Sequence, residues 1–330
     1  MRTSRSALAA TAFIGLIAAA CGGGPVSPTA TPAPAPTPTA TPTPTAGPSL
    51  PVAILDPSMT AAQLFDDDVP AADLNLEERS RESRDRAVIR DVTFTGADGL
   101  PVPAFLVAPS TGTTRAGVLF LHWLGDDFSS RDEFVDEAVE LAGQGIESML
   151  ITQHFPWSER PIGVDHDRVA IGLQVRTIRR ALTLLEAESG NAQVALVGHD
   201  YGAMYAILAA SVDQRPAALA AMTPDSTWVN WFVKYFHVVG EGDVAGYAQA
   251  MADLDPINRI ASVTAPVLLQ FGTADIYVSG EVATALANAA PGGTLLHSYD
   301  TDHRLDNQAR DDRDAWLLEE LGIPVPSASP

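Results

Sequence analysis

The sequence is poor in the features that form disulfides or bind nucleic acids and cofactors. Its 330 residues include one cysteine, Cys21, so no disulfide can form within the chain. Basic residues number 20 against 41 acidic ones, and this excess argues against nucleic acid as a partner because a phosphate backbone selects a basic surface. No metal-ligand motif, glycine-rich phosphate loop or dinucleotide fingerprint is present, so we expect neither a metal nor another cofactor.

The N-terminus has the pattern of an export signal. Arg2 and Arg5 precede an apolar run without charge at residues 7–20, which is too short to span a bilayer comfortably. Cys21 directly after small residues resembles a bacterial lipoprotein signal, although Ala18 stands where such signals usually have leucine. We expect residues 1–20 to be a signal peptide and Cys21 to carry lipid, which would anchor an exported protein to a membrane of the cell envelope. An ordinary signal peptide with an incidental cysteine is the alternative.

Composition divides the rest of the chain. Residues 21–51 hold the cysteine and a tract of Pro, Thr and Ala, which we interpret as a stiff spacer. Residues 52–90 are expected to be an N-terminal extension, with a charged surface helix over 74–90. Residues 91–324 are predicted to form one folded domain.

Strand and helix patterns alternate through this domain. Continuous apolar runs at 116–122 and 194–199 are typical of strands buried on both faces of a parallel sheet. The stretch 165–189 has apolar residues at helical spacing. Such alternation predicts an α/β fold, a mostly parallel central sheet with helices on both faces. Further strands are expected at 91–95, 102–107, 147–152, 217–223, 265–271 and 294–299, and further helices at 130–142, 200–210 and 307–321.

An aromatic-rich insert interrupts the alternation at residues 226–254. We interpret it as a small helical cap that roofs a ligand pocket, because inserts in such sheets tend to lie at the edge where ligands bind. Two amphipathic helices packed on the sheet are the alternative. Its aromatic residues are Trp228, Trp231, Phe232, Tyr235, Phe236 and Tyr247.

One short motif points to chemistry. The apolar strand 194–197 runs into Gly198-His199-Asp200-Tyr201-Gly202 and then into a helix. A side chain exposed at such a sharp turn needs small residues two positions before and after it, and Gly198 and Gly202 meet this need. Backbone N–H groups at the start of the helix stabilise negative charge there. Asp200 therefore is a candidate nucleophile, whereas the alternative is an ordinary helix-capping aspartate.

The motif resembles the nucleophile elbow of the α/β-hydrolases, which usually has serine in the middle. Asp200 with its neighbours is similar to the aspartate branch, the epoxide hydrolases and haloalkane dehalogenases. The stretch 265–275 and the later histidine resemble dienelactone hydrolases and related esterases instead. The resemblance covers about residues 90–321 and implies a hydrolase of a small organic molecule.

The same resemblance implies the other members of a catalytic triad. Asp275 follows a predicted strand where the family has its acid, and His303 follows the last strand where the family has its base. The order Asp200, Asp275, His303 matches the fold. Asp225 is a rival acid and His297 a rival histidine.

The resemblance also locates an oxyanion region in residues 121–127. Trp123 stands where the family has glycine, so it is either part of this loop or a wall of the pocket. Leu124 and Tyr201 are the expected backbone donors. Dehalogenases often have a polar residue at the position of Leu124, which weighs against halide as the leaving group.

Three hypotheses follow from these residues. The first is a hydrolase that forms a covalent ester on Asp200, as epoxide or carbon–halide opening would require, with Tyr235 or Tyr247 as donors to a leaving oxygen. The second is an esterase with a variant aspartate nucleophile. The third is a binding protein that kept the fold and lost the serine.

Overall fold

The computed structural model describes residues 54–124, 130–153, 163–190, 192–231 and 243–324. The chain divides into two units, 1–45 and 46–330, and all described residues lie in the second. The signal peptide, Cys21 and the spacer fall outside the described residues, as do Phe232, Tyr235 and Phe236 of the insert. Those expectations and the predicted domain boundaries therefore stay predictions.

A mixed sheet of nine strands organises the described part of the chain. The strands are β1 (Glu77–Arg84), β2 (Ala87–Thr95), β3 (Pro101–Pro109), β4 (Ala116–Leu121), β5 (Ile146–Ile151), β6 (Gln193–His199), β7 (Pro216–Met222), β8 (Val267–Gly272) and β9 (Leu295–Tyr299). Their order across the sheet is β1-β2-β3-β5-β4-β6-β7-β8-β9. The first three strands and the β3–β5 pair are antiparallel, and every later pair is parallel.

Helices cover both faces of this sheet. They are α1 (Ala61–Phe65), α2 (Val135–Ala142), α3 (Val164–Glu188), α4 (Tyr201–Ala210), α5 (Val244–Met251), α6 (Pro256–Arg259), α7 (Gly280–Ala289) and α8 (Asn307–Glu320). Apolar side chains of α1, α3 and α4 share one core with one face of the sheet, and those of α2 and α8 share a second core with the opposite face. The predicted α/β class with helices on both faces is confirmed. Among the described residues, no helix has the length and apolar character needed to cross a membrane.

The surface helix expected at residues 74–90 is wrong. Those residues form β1 and the start of β2, which pair antiparallel from Glu77 opposite Thr93 to Arg84 opposite Ala87. Every residue of β1 is exposed, and it lies at the edge of the sheet. Charged side chains suit an edge strand because they discourage pairing with another chain. The charge pattern that resembled a solvated helix face is therefore that of an exposed strand.

Residues before the expected domain also reach the core. Leu64, Phe65 and Leu74 are fully buried in the core that contains α3. Arginines of α3 hold this segment through its backbone: Arg168 donates to the carbonyls of Pro57 and Met59 at 2.7 and 2.8 Å. The segment thus packs along α3 rather than extending away from it.

The first described residues of the insert pack on α4, whereas Tyr247 of α5 bonds to Asp167 of α3. Trp228 is fully buried against Tyr201 and Tyr205, and its Nε1–H donates to the carbonyl of Leu254 at 2.7 Å. Trp231 lies three residues further along and contacts the ring of Tyr201. These contacts place Trp228 and Trp231 beside the first turns of α4.

Candidate active site

The turn between β6 and α4 holds Asp200 in a strained conformation. Its φ of 55° and ψ of −116° lie outside the regions that ordinary residues favour. Its N–H donates to the carbonyl of Met222 at 2.8 Å, which ties the turn to β7. A Cβ at Gly198 would lie 2.4 Å from the carbonyl oxygen of Gly202, and one at Gly202 would lie 2.1 Å from that of Leu121. Both glycines are therefore required by the close approach of the backbone, as the motif predicted.

The loops after β8 and β9 bring Asp275 and His303 to the same point. Asp275 Oδ2 accepts from His303 Nδ1 at 2.7 Å, and Asp275 Oδ1 accepts from the N–H groups of Tyr277 and Val278 at 2.7 and 3.0 Å. On its other side His303 Nε2 lies 3.6 Å from Asp200 Oδ1. A Cβ at Gly272 would lie 2.3 Å from the carbonyl oxygen of Asp302, so this glycine lets the two loops touch. The structure thus brings the three predicted residues together in one line.

The loop after β4 contacts the second oxygen of the same carboxylate. The backbone N–H of Leu124 donates to Asp200 Oδ2 at 3.1 Å. Each oxygen of Asp200 therefore has its own neighbour, the Leu124 amide for Oδ2 and the His303 imidazole for Oδ1. Tyr201 directly follows Asp200 as the first residue of α4, and its ring packs on Trp228 and Trp231.

The sheet order and the site can be compared with known proteins. No protein-family model matches the chain, and no curated protein matches it significantly. Acetyl xylan esterase 1 from Thermoanaerobacterium sp. matches with a TM-score of 0.62 and 15% identity, over 79% of this chain and 91% of that one. Acetyl xylan esterase from Paenibacillus sp. matches with a TM-score of 0.60 and 17% identity, over 80% and 92%. A cold-adapted esterase from an Arctic intertidal metagenomic library matches at 0.55 and 18%, over 73% and 97%.

The fold is that of the α/β-hydrolases. Sequence identities of 15% to 18% show a shared fold and nothing more. In the α/β-hydrolase fold the turn after the central strand, the loop after the acid strand and the loop after the last strand meet at one edge. Asp200, Asp275 and His303 occupy those three places here.

The electrostatics of this candidate site are dominated by two carboxylates around one imidazole. Burial by itself lowers the pKa of His303, but the neighbouring Asp200 and Asp275 outweigh it and raise the pKa to about 9 from an ordinary 6.5. Burial acts on Asp275 in the raising direction, whereas the hydrogen bond and charge of His303 hold its pKa below the usual range. This raised pKa favours the imidazolium form of His303 at neutral pH.

A pocket of about 640 Å³ opens onto Asp200 and His303. Trp123 and Leu124 line it, as expected for a wall next to the oxyanion region. Trp231 of the insert also lines the pocket. Its ring meets the ring of His303 edge-on, with 6.1 Å between centroids. The remaining lining residues are Ala274, Ile276, Tyr277, Asp302 and Arg304.

Sequence reasoning did not identify Tyr277 and Arg304 as pocket residues. The Tyr277 ring lies 5.1 Å from the His303 ring between centroids and 5.9 Å from that of Trp231. The guanidinium of Arg304 lies over the Trp123 ring at 5.1 Å. Their positions close to Asp275 and His303 in the sequence could have indicated this. Residues that neighbour a site residue in a short loop lie at the same edge of the sheet.

The rival residues lie elsewhere. Asp225 Oδ1 accepts from Asn230 Nδ2 at 2.7 Å and from the backbone N–H groups of Ser226 and Thr227, so it caps the start of the insert. Tyr247, an expected donor to a leaving oxygen, is buried and donates its hydroxyl to Asp167 at 2.7 Å. It therefore does not line the pocket.

His297 is the other rival, and it points to a different group. It lies within β9, and its Nδ1 is 3.2 Å from the Tyr299 hydroxyl. Among the described residues, no group of three or more His, Cys, Asp or Glu side chains is arranged to hold a metal ion.

Proposed function

We propose that this α/β-hydrolase-fold protein hydrolyses a small, largely apolar organic molecule through a covalent ester on Asp200. The two oxygens of Asp200 carry the proposal because they have different neighbours. Oδ2 accepts from the Leu124 amide at 3.1 Å, and Oδ1 faces His303 Nε2 at 3.6 Å within the pocket. One oxygen is thus held by a backbone amide, while the other accepts no hydrogen bond among the described residues and can act as the nucleophile.

This division favours attack on a saturated carbon. Oδ1 forms a bond to the carbon, and the bond from that carbon to its leaving oxygen or halide breaks. The product of this step is an alkyl ester on Asp200. An epoxide oxygen leaves as an alkoxide and takes a proton, and the His303 imidazolium and the Tyr277 hydroxyl are proton-bearing groups of the pocket.

Esterification changes the state of the base. The ester carries no charge, so one of the two carboxylates that raise the pKa of His303 is lost. The proton of His303 passes to the leaving oxygen or, when a halide leaves, to solvent. The neutral imidazole then takes a proton from a water molecule that attacks Cγ of Asp200. Negative charge develops on Oδ2, where the Leu124 N–H already lies, and the ester bond breaks to free the alcohol.

An esterase activity is the second candidate. The solved structures with this fold include proteins described as acetyl xylan esterases and a cold-adapted esterase. Attack of Asp200 on an ester carbonyl would give a mixed anhydride. The substrate oxyanion would need the Leu124 amide, which already binds the nucleophile's own Oδ2. This contact favours the saturated-carbon reaction.

A single turnover in H₂¹⁸O with excess enzyme tests the covalent step. We expect styrene oxide to give a diol that lacks ¹⁸O, because its new oxygen comes from Asp200. The His303→Ala variant should accumulate an ester on Asp200, detected by peptide mass spectrometry, and His297→Ala should behave as the parent. Direct attack of water would place ¹⁸O in the product of the first turnover and contradict the covalent route.

A panel of styrene oxide, 1-bromohexane and 4-nitrophenyl acetate separates the hypotheses. We expect turnover of the epoxide to be lost in Asp200→Asn and retained in Asp300→Asn, whose carboxylate is exposed. Turnover of the aryl ester alone would favour the esterase. Equal rates for the parent, Asp200→Asn and His303→Ala on all three probes would leave the binding-protein hypothesis.

We further propose that the protein is exported and anchored by lipid on Cys21. The basic residues, the short apolar run and the following cysteine support this proposal. An alkyne palmitate analogue should label the parent in a bacterial host, and the protein should sediment with membranes. Cys21→Ser should lose both properties, and persistence of the label in that variant would contradict the proposal.

A further inference from the structure

A second layer of polar residues lies directly behind Asp200 and His303. His199 precedes Asp200, is 2% exposed and takes no part in the proposed chemical steps. Its Nε2–H donates to the backbone carbonyl of His303 at 3.0 Å, and its Nδ1 hydrogen-bonds to Glu133 Oε1. Its ring also stacks on Trp123, with 5.4 Å between centroids and 5° between planes.

Glu133 connects this layer to the loop after β4. While Oε1 bonds to His199, Oε2 accepts from the backbone N–H of Trp123 at 2.8 Å. Trp123 immediately precedes Leu124, whose N–H holds Asp200 Oδ2. One carboxylate therefore links the backbone of the oxyanion loop to the backbone of His303, through a single imidazole.

We propose that Glu133 and His199 are positioning residues that set the Leu124 amide and the His303 imidazole on opposite sides of Asp200. This inference rests on the proposed function. The amide and the imidazole come from loops after β4 and β9, which are separated in the sheet by β6, β7 and β8. The chain from Trp123 through Glu133 and His199 to His303 spans that separation beneath the nucleophile.

The linkage matters most for the second half of the reaction. Attack of water on the ester needs His303 as base and the Leu124 amide as the oxyanion donor at the same moment. Formation of the ester needs one oxygen of Asp200 at the substrate carbon and a proton for the leaving oxygen, which the Tyr277 hydroxyl can supply as well as His303. A displacement of about 1 Å in such a pair is enough to slow a reaction roughly 100-fold. Loss of the link should therefore slow hydrolysis of the ester more than its formation.

The test compares Glu133→Ala with Glu133→Gln. Alanine removes both hydrogen bonds. Glutamine keeps both contacts but reverses the direction of one. Its oxygen accepts from the Trp123 N–H, and its NH₂ donates to His199 Nδ1, which in the parent donates to the carboxylate; the Nε2 proton still reaches the His303 carbonyl. With styrene oxide we expect kcat of Glu133→Ala to fall about 30- to 100-fold, with ester accumulating on Asp200. Glu133→Gln should stay within about threefold of the parent.

The matched control is Asp136→Asn. Asp136 lies three residues after Glu133 and is largely exposed, in an ion pair with Arg84 at 2.6 Å. It should leave kcat and ester occupancy unchanged. Equal kcat and equal ester occupancy in Glu133→Ala and the parent would overturn the inference while leaving the covalent mechanism intact.

A second measurement does not depend on turnover. Crystal structures of Glu133→Ala and Glu133→Gln should differ in the distance between the Leu124 amide and Asp200 Oδ2. We expect alanine to lengthen it beyond hydrogen-bonding range and glutamine to keep it near 3.1 Å. An unchanged distance in Glu133→Ala would overturn the inference. If Glu133→Ala does not fold, a longer distance or a loss of kcat in His199→Phe supports the inference, and parent-like values contradict it.

Discussion

The charge of His303 depends on which of its neighbours are ionised. Its pKa of about 9 reflects Asp200 and Asp275 acting against burial. Asp200→Asn removes one of these charges, so we expect the pKa of His303 to fall. Titration of ¹⁵N-histidine by NMR would measure the shift, and His297, on β9, provides an internal reference in the same spectra. A pKa that stays near 9 in Asp200→Asn would contradict the proposed conversion of His303 from acid to base on esterification.

The candidate site residues differ in how well the amino-acid sequence predicts them. Asp200 could be predicted from the sequence because the two glycines around it form a recognisable motif. A Cβ at Gly198 or Gly202 would lie 2.4 or 2.1 Å from a backbone oxygen, so only glycine fits at either position. Asp275 and His303 follow strands, so the fold assigns their position. Glu133 could not be predicted from the sequence. It is 66 residues away from His199 along the chain, and it does not directly follow a strand. Its role depends on tertiary packing alone.

At the scale of elements, β1 was predicted wrongly as a helix, and the reason lies in its place at the edge of the sheet. A strand at the sheet edge needs no apolar face, so β1 has no period-2 pattern and its charges resembled a surface helix. The central strands β4 and β6 were predicted closely because burial on both faces requires a continuous apolar run. Helix α7 was not predicted, although Ser279 accepts from the Val282 N–H at its start.

The attachment of the N-terminal segment to α3 gives a prediction for stability. Arg168 donates to the carbonyls of Pro57 and Met59 and pairs with Asp253 at 2.5 Å. Arg168→Leu should lower the free energy of unfolding by about 2 kcal/mol, since several carbonyls lose a charged donor and Asp253 is half-exposed. Urea denaturation would measure it. Arg84→Leu, which breaks only an exposed ion pair, should cost under about 1 kcal/mol. Equal losses in the two variants would show that the segment does not depend on Arg168.

At the scale of the whole molecule, the sheet order explains why the site is continuous although its residues are far apart in sequence. The strands β4, β6, β7, β8 and β9 are parallel, so their carboxyl ends share one edge. Leu124, Asp200, Asp275 and His303 follow four of them. The positions of Asp200, Asp275 and His303 after these strands were implied by the resemblance to the α/β-hydrolases. The pocket walls were not, because they depend on loop conformations and on the insert.

The same charge arrangement predicts how global stability varies with pH. The folded-state pKa of His303, about 9, lies above the value of 6.5 expected for an unfolded chain. Between these values the folded protein binds a proton that the unfolded chain has lost. The resulting stabilisation is complete below pH about 6.5 and disappears as the pH rises through about 9. A shift of this size corresponds to about 3 kcal/mol.

Other buried groups titrate nearby, so the effect must be isolated by difference. Burial, opposed by the Trp228 N–H and reinforced by nearby carboxylates, raises the pKa of Asp255 to about 7, and its charging also costs stability as the pH rises. Urea unfolding of the parent and of His303→Gln at pH 6, 7.5 and 9.5 separates the two contributions. The difference in free energy of unfolding between the parent and His303→Gln should shrink by about 3 kcal/mol from pH 6 to 9.5. A constant gap would contradict a His303 imidazolium held between two carboxylates, because its stabilising charge exists only below the folded-state pKa.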